Sequence, residues 1–358
     1  MSASFNRRPS PFLLSPPLTK VISKVAGKRI ANVSESHEVI SAGHRFQHPP
    51  AIFDERELEG ILGTAETSNI AEQLRIARGQ WSDHGASIAY TLKDVFHCDG
   101  IFYGSRYRHN VTTHRGGWIN YGRAPWVSGG VLAQCWLGAK YFGHSLHEEA
   151  PMALLGMQRG KLIGTERRLT AQQLAYLNLF GVASEMLPAR AWIAKLEILV
   201  DDAYSLSKVG RWKQMRAMVR HAAGQADHPG VFLARGATGQ NRQLVNEAAV
   251  ADYFRSIGFK VINPGEAELP EIMAAVAGAR IVVGVEGSQL AHGFFGVREA
   301  GAFLVIQPPG RFDNAYKERC DLSGIKYSFV VAKPAPGGFT IGLDQIERGL
   351  ERLEKVIP

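Results

Sequence analysis

Short apolar runs alternate with segments of helical spacing in the second half of the chain. Four runs have the length of a buried strand: VFLA (231–234), FKVI (259–262), RIVVGV (280–285) and AFLVIQ (302–307). Between the first two runs, the apolar residues of 250–257 follow the helical period, and Gly258 is well placed to end that helix. This alternation predicts a parallel β-sheet with helices on both faces.

The remaining patterns set the expected domain boundaries. Residues 342–357 carry a single apolar stripe, which predicts an amphipathic helix at the C-terminus. The first half is less periodic, and a basic helical segment followed by a turn, at 205–228, separates it from the second half. The predicted organisation has three parts: an N-terminal domain at 1–205, a C-terminal Rossmann-like domain at 206–340 and the terminal helix at 341–358.

The composition is that of a globular protein with two domains. The chain has 358 residues, of which 45% are hydrophobic and 21% charged, and its apolar runs are far shorter than the roughly 18 residues that span a bilayer. Three widely spaced cysteines argue against a disulfide framework and fit a reducing compartment. Prolines interrupt the apolar patch near the N-terminus, so no signal peptide is expected and a cytoplasmic location is predicted.

One strand-length run is broken by residues suited to bind a ligand. In VVGVEGSQLAHGFFG (282–296) the apolar run ends at Glu286 and Gly287, and a short helical segment follows. Ligands of open parallel sheets bind at the carboxyl ends of the strands, where small residues allow close approach and a helix start offers free N–H groups. The loop is therefore expected to bind an anion, and a tight turn with a capping carboxylate is the alternative.

Residues 231–296 resemble the C-terminal half of family 61 glycosyltransferases, which include plant xylosyl- and arabinosyltransferases and bacterial capsular-polysaccharide enzymes. The positions that carry the resemblance are Arg235, Arg242, Asn246, Glu247, Gly258, Phe259, Gly284, Gly287 and Leu290. Upstream, YFGHSLHEEAP (141–151) resembles a second family motif at His144, Glu148 and Pro151. The loop departs from the family where Glu286, Ser288 and His292 replace its His, Ala and Asn.

The resemblance implies both a fold and a reaction. The implied fold is an α/β, GT-B-like arrangement of two Rossmann-like domains whose parallel sheets face a central cleft, with a nucleotide sugar held by the C-terminal domain. The implied reaction inverts the anomeric carbon without an essential metal. No cofactor is then expected, and the donor substrate is a nucleotide-diphosphate sugar, expected to be UDP-linked.

Sugar transfer from such a donor requires positive charge at the departing diphosphate. Arg235 follows a strand and Arg242 precedes a helix, so both are predicted to contact the diphosphate, with surface ion pairs as the alternative. The other residues expected to bind the donor are Asn246, Glu247, Gly287, Ser288, Gln289 and His292. The alternative to donor binding is a role at the start of a helix for Asn246 and Glu247, and a structural position in the core for His292.

Sugar transfer also requires a base for the acceptor hydroxyl, and the catalytic candidates are His144, Glu148 and Glu286. His144 and Glu148 are four residues apart, which places them on one face of a helix as a base and its orienting partner. Glu286 is suited to accept hydrogen bonds from ribose or sugar hydroxyls, or to act as the base, and Asp94 is a further candidate base. Together with His147, the pair reads H-x-x-H-E, so a metal-dependent hydrolase is an alternative, although this is not the zincin order.

The predicted acceptor is a glycan or lipid-linked sugar in surface-polysaccharide assembly. Trp118, Tyr121 and Trp126 suit contact with sugar faces, with anchoring to the core as the alternative. The net charge of +8 permits peripheral contact with an anionic inner membrane. No DNA- or RNA-binding signature accompanies the basic residues, so nucleic acid is not an expected partner. The second alternative is a non-catalytic sugar-nucleotide or nucleic-acid binding protein, suggested by the family His that is Glu286 here.

Overall fold

The computed structural model describes residues 29–66, 68–104, 107–113, 124–224, 227–236 and 242–358. The strands are β1 (Ser36–Ser41), β2 (His44–His48), β3 (Gln80–His84), β4 (Ser87–Cys98), β5 (Ile101–Tyr103), β6 (Arg108–Asn110), β7 (Trp126–Leu132), β8 (Leu162–Gly164), β9 (Glu185–Met186), β10 (Arg190–Val200), β11 (His228–Leu233), β12 (Lys260–Ile262), β13 (Ala279–Val285), β14 (Ala302–Gln307), β15 (Lys326–Val331), β16 (Lys333–Ala335) and β17 (Gly338–Thr340). The α-helices are α1 (Ile70–Ala77), α2 (Trp136–Lys140), α3 (Phe142–His144), α4 (Ala150–Arg159), α5 (Ala171–Leu179), α6 (Leu206–Ala223), α7 (Glu247–Ser256), α8 (Leu269–Val276), α9 (Leu290–Gly296), α10 (Lys317–Leu322) and α11 (Leu343–Glu354). A π-helical segment (Ser145–Glu149) joins α3 to α4, and 3₁₀ turns occupy Ile30–Asn32 and Glu55–Gly60.

The described residues form two compact units, and each unit is built from two stretches of chain. The first comprises residues 29–44 and 84–211, and the second comprises residues 45–83 and 212–358. These units differ from the predicted domains in two respects. Residues 45–83 belong to the second unit, and α11 packs into the core of that unit instead of forming a separate part.

The second unit contains a five-stranded sheet in the order β12-β11-β13-β14-β15, with every neighbouring pair parallel. Its central strands are almost wholly buried, as expected for a parallel sheet with helices on both faces. The chain passes from β11 outward to β12 and then returns to β13 on the other side, so the strand order reverses between β11 and β13. In open α/β sheets, ligands bind outside the carboxyl ends of the strands at this switch point.

Side-chain and backbone bonds attach residues 45–83 to the same sheet. Ile52 forms a parallel bridge with Ser328 of β15, and the Glu57 carboxylate accepts a hydrogen bond from the Val331 amide at 2.7 Å. Gln73 of α1 bonds Asn314 through both its side chain and its carbonyl. These pairings join residues about 240 to 280 positions apart, so the local pattern of the first half did not show them.

The first unit contains an eight-stranded sheet in the order β6-β5-β4-β10-β7-β8-β9, with β1 also paired to β4. Only the pairs among β10, β7, β8 and β9 are parallel, and the others are antiparallel. The expected parallel sheet is therefore present in only part of this unit. The antiparallel pairing of β4 with β5 follows from the two-residue turn between them, Asp99 and Gly100, with φ of +48° and +81°. Asp-Gly with both φ values positive is the preferred connection of an antiparallel hairpin.

Within the described residues, no helix has the length and apolar character needed to cross a membrane.

Candidate functional site

Three arginines of the second unit converge at the switch point of its sheet. Arg235 lies just after β11, Glu286 and Gly287 lie just after β13, and Arg311 lies in the turn after β14. Arg242 precedes α7, and its Nη1 donates to the carbonyl of Glu286 at 2.8 Å. The structure thus brings together Arg235, Arg242 and the Glu286–Gly287 loop, which the sequence pattern placed at one edge of the sheet.

Gly287 shows how tightly the guanidinium groups approach the backbone. A Cβ atom built on this residue would overlap Nη1 of Arg235, and it would lie 2.5 Å from Oε1 of Gln289 and 3.2 Å from Nη1 of Arg242. Its φ of +154° is also one that residues with side chains rarely adopt. Only glycine therefore allows both arginines to lie against this turn.

The Glu286 carboxylate lies inside the arginine cluster. Its Oε2 accepts hydrogen bonds from Nη1 of Arg242 and, at 2.7 Å, from Nη1 of Arg311. Glu286 is only 5% exposed, and burial raises its pKa to about 7 even though the arginines act in the opposite direction. Burial likewise lowers the pKa values of Arg235 and Arg242. A carboxylate and two guanidinium groups are thus held close together with little solvent.

Neighbouring side chains hold the arginines in place. Nη1 of Arg235 donates to Oε1 of Gln289 at 2.9 Å, and Nε2 of Gln289 donates to the carbonyl of Val285 at 2.6 Å. The Glu247 carboxylate accepts from the amides of Arg235 at 2.7 Å and Gly236 at 2.9 Å. Glu247 and Gln289 therefore fix the backbone and the side chain of Arg235.

Asn246 and His292 take structural positions. The side chain of Asn246 donates to the carbonyl of Ile341 at 2.8 Å and accepts from its amide at 3.2 Å, so it anchors the segment before α11. His292 on α9 is 1% exposed, and burial lowers its pKa to about 3, which keeps the imidazole neutral at physiological pH. These positions favour the structural alternatives for both residues, whereas Ser288, the residue after Gly287, is exposed.

The catalytic candidates of the first unit lie on a distorted helix. Residues Ser145–Glu149 are π-helical, with the amide of Ala150 donating to the carbonyl of Ser145. The extra residue in this turn changes the α-helical spacing that had placed His144 and Glu148 on one face. His144 is half-buried, and its ring centroid lies 5.7 Å from that of Tyr141.

Glu148 belongs to a buried network of charges. Its carboxylate accepts from Nζ of Lys208, which is fully buried on α6 and also donates to the carbonyl of Asp201 at 2.6 Å. The Asp201 carboxylate in turn accepts from Nη2 of Arg211 at 2.6 Å. A carboxylate engaged by a buried lysine is poorly placed to take a proton from an acceptor, so the geometry favours a positioning role for Glu148.

A comparison with known protein families gives a match over part of the chain. Residues 142–303 match the family model of glycosyltransferase 61. The protein is a glycosyltransferase with a family 61 domain. A search of the curated proteins found no match to the chain.

The matched region of this glycosyltransferase contains His144, Glu148, Arg235, Arg242 and Glu286, so it includes residues of both units. The resemblance noted from the sequence is thereby confirmed at the level of the family. Arg311 lies beyond the match and was missed in the sequence, although the signal was present. It follows β14 by four residues, after Pro308, Pro309 and Gly310, at the same strand edge that drew attention to Arg235.

Two further expectations concern the first unit of the glycosyltransferase. Trp126 in β7 stacks on Trp192 of β10 with ring centroids 5.5 Å apart, which favours anchoring to the core, while Trp118 and Tyr121 lie outside the described residues. In the described parts of the chain, no group of three or more His, Cys, Asp and Glu side chains is placed to hold a metal ion. His144, His147 and Glu148 thus do not form the cluster that the hydrolase alternative requires.

Proposed function

We propose that this glycosyltransferase transfers a sugar, with inversion, from a nucleotide-diphosphate sugar to a hydroxyl of a glycan or lipid-linked acceptor in surface-polysaccharide synthesis. The observation that carries the proposal is the convergence of Arg235, Arg242 and Arg311 at the switch point of a parallel sheet. A UDP sugar is the proposed donor, and no metal or other cofactor is included. The proposal also includes the GT-B arrangement implied by the family resemblance.

The arginine cluster suits the chemistry of the leaving group. Negative charge accumulates on the departing diphosphate in the transition state, and guanidinium groups form paired, charge-assisted hydrogen bonds with phosphate oxygens. Because Arg235 is held by Gln289 and by a loop that Glu247 fixes, the protein has already oriented this cation before a ligand arrives. Arg311, whose side chain is 31% exposed, and exposed Ser288 offer contact from the solvent side.

In the first unit we propose His144 as the base and Glu148 as a residue that positions its helix. His144 is half-buried, and the adjoining π-helical turn is held by the Lys208–Glu148 pair. π-Helical turns recur at functional sites, which agrees with a catalytic residue at this place. We further propose that the reaction takes place in the cytoplasm, with the net charge of +8 supporting peripheral contact with an anionic inner membrane.

Arg235→Ala is expected to weaken UDP binding by at least about 1.5 kcal/mol, roughly tenfold, because one charge-assisted contact is lost. A thermal-shift screen of nucleoside diphosphates first confirms the preferred base, and calorimetry then measures the affinity. The matched control is Arg255→Ala, since this arginine on α7 is exposed and pairs with the equally exposed Asp252. Equal UDP affinities for Arg235→Ala and the parent protein would show that Arg235 does not bind the diphosphate.

His144→Ala is expected to lower kcat by about 100-fold while the KM for the donor changes less than threefold, because a base acts only in the transition state. The measurement is steady-state release of the nucleoside diphosphate in the presence of acceptor. His221→Ala, in the last turn of α6, is the control and should leave both constants unchanged. If His144→Ala retains the full kcat, the base is another residue.

A further inference from the structure

The guanidinium N–H groups of the arginine cluster already have an anionic hydrogen-bond partner within the protein. Oε2 of Glu286 accepts from Nη1 of Arg242 and from Nη1 of Arg311, the second at 2.7 Å. Nη1 of Arg242 also donates to the Glu286 carbonyl at 2.8 Å. The carboxylate is therefore in the position that a phosphate oxygen would take if these two guanidinium groups were to bind a diphosphate.

Both positive and negative charges surround Glu286. The cations that face it are Arg235, Arg242 and Arg311, and the nearby carboxylates are Asp313, beside Arg311, and Glu247, beside Arg235. Tyr316 and Tyr327 also face Glu286, and burial raises the pKa of each phenol, so both are neutral. With Glu286 ionised, its carboxylate, Asp313 and Glu247 offset much of the positive charge that these three guanidinium groups could offer a diphosphate, and Arg319 adds a further positive charge beside Asp313.

We propose that Glu286 is an internal counter-anion of the donor site. As the donor binds, Arg242 and Arg311 exchange their hydrogen bonds to the Glu286 carboxylate for hydrogen bonds to the diphosphate, and the carboxylate takes up one proton from solvent. The proposal rests on the proposed function, because it assumes that the arginines bind a diphosphate. The balance is simple: the carboxylate gains a proton and becomes a neutral acid, and the two N–H groups that it accepted donate instead to phosphate oxygens. Glu286 is then a positioning residue that couples affinity for the donor to pH.

The surroundings of Glu286 favour this proton uptake. At 5% exposure the carboxylate has almost no water to stabilise its charge, and burial raises its pKa to about 7 while the arginines are still in place. A bound diphosphate adds negative charge and withdraws two hydrogen bonds from the carboxylate, and both changes raise the pKa further. Since the bound state holds one more proton than the free state, affinity falls as the pH rises above about 7.

The test is calorimetry of UDP binding at pH 8.0 in three buffers that differ in ionisation enthalpy. The terminal phosphate of UDP is already ionised at this pH, because its pKa is about 6. We expect the protein to take up about one proton per UDP and its affinity to fall about tenfold per pH unit between pH 8 and pH 9. Glu286→Gln is expected to bind UDP without proton uptake, with an affinity that does not change over the same range.

Asp313→Asn is the matched control, because Asp313 is the other carboxylate near Arg311 and burial also raises its pKa. This variant should keep the proton uptake. The role of Glu286 would be overturned if the parent protein bound UDP without proton uptake, or if Glu286→Gln still took up a proton. Neither result would contradict the proposed donor site. If no nucleoside diphosphate binds, or if Arg235→Ala binds UDP normally, the proposed function fails and this inference fails with it.

Discussion

Gly287→Ala is expected to reduce UDP affinity by about 100-fold without unfolding the protein. A methyl group at this position would overlap Nη1 of Arg235 and press on Nη1 of Arg242, so two charge-assisted contacts are displaced together. Each such contact contributes about 1.5–3 kcal/mol, and the loss of about 3 kcal/mol corresponds to the 100-fold change. Calorimetry measures the affinity, and circular dichroism with a thermal midpoint establishes that the variant is folded.

Gly210→Ala is the matched control for this change. Gly210 lies within α6, and among the described residues a Cβ atom on it meets nothing within 4 Å beyond its chain neighbours and the backbone of its own helix. This substitution should leave UDP affinity unchanged and raise the free energy of unfolding by roughly 0.5–1 kcal/mol, because alanine favours a helix more than glycine does. Parental UDP affinity in folded Gly287→Ala would show that the diphosphate does not bind against this turn.

Lys208→Met is expected to lower the free energy of unfolding by about 3–5 kcal/mol, because it leaves the buried Glu148 carboxylate without its cation. Methionine retains most of the side-chain volume of lysine, so the decrease in unfolding free energy comes from the missing positive charge and not from a cavity. The double substitution Lys208→Met with Glu148→Gln removes both charges and should recover part of the loss. Denaturant titration followed by circular dichroism gives the midpoints.

Lys93→Met is the control for the buried pair, because Lys93 forms an ion pair with Glu35 in which both side chains are about half exposed. Exposed ion pairs contribute about 0–1 kcal/mol to stability, so the denaturant midpoint of Lys93→Met should be close to that of the parent protein. Equal small losses in Lys208→Met and Lys93→Met would mean that Glu148 does not depend on Lys208. Glu148 would then again be a candidate for direct participation in catalysis.

Two features of the structure have local signals in the sequence that the sequence-based predictions did not include. Asp99-Gly100 between two apolar runs is a strong hairpin signal, and it determines the antiparallel pairing of β4 with β5. Arg311 follows a buried strand just as Arg235 does, and the same reasoning would have added it to the donor site. Both signals required only a few neighbouring residues to recognise.

The sequence by itself determined the parallel sheet of the second unit and the edge at which Arg235, Glu286 and Gly287 meet. That was possible because strand length, helical period and the position of a residue after a strand are properties of neighbouring residues. Only the tertiary structure decided that Glu286 pairs with Arg242 and Arg311, that Glu148 pairs with Lys208, and that residues 45–83 join the second unit. These partners are tens to hundreds of residues apart, and burial, which sets the pKa of Glu286, exists only once distant segments have packed around it.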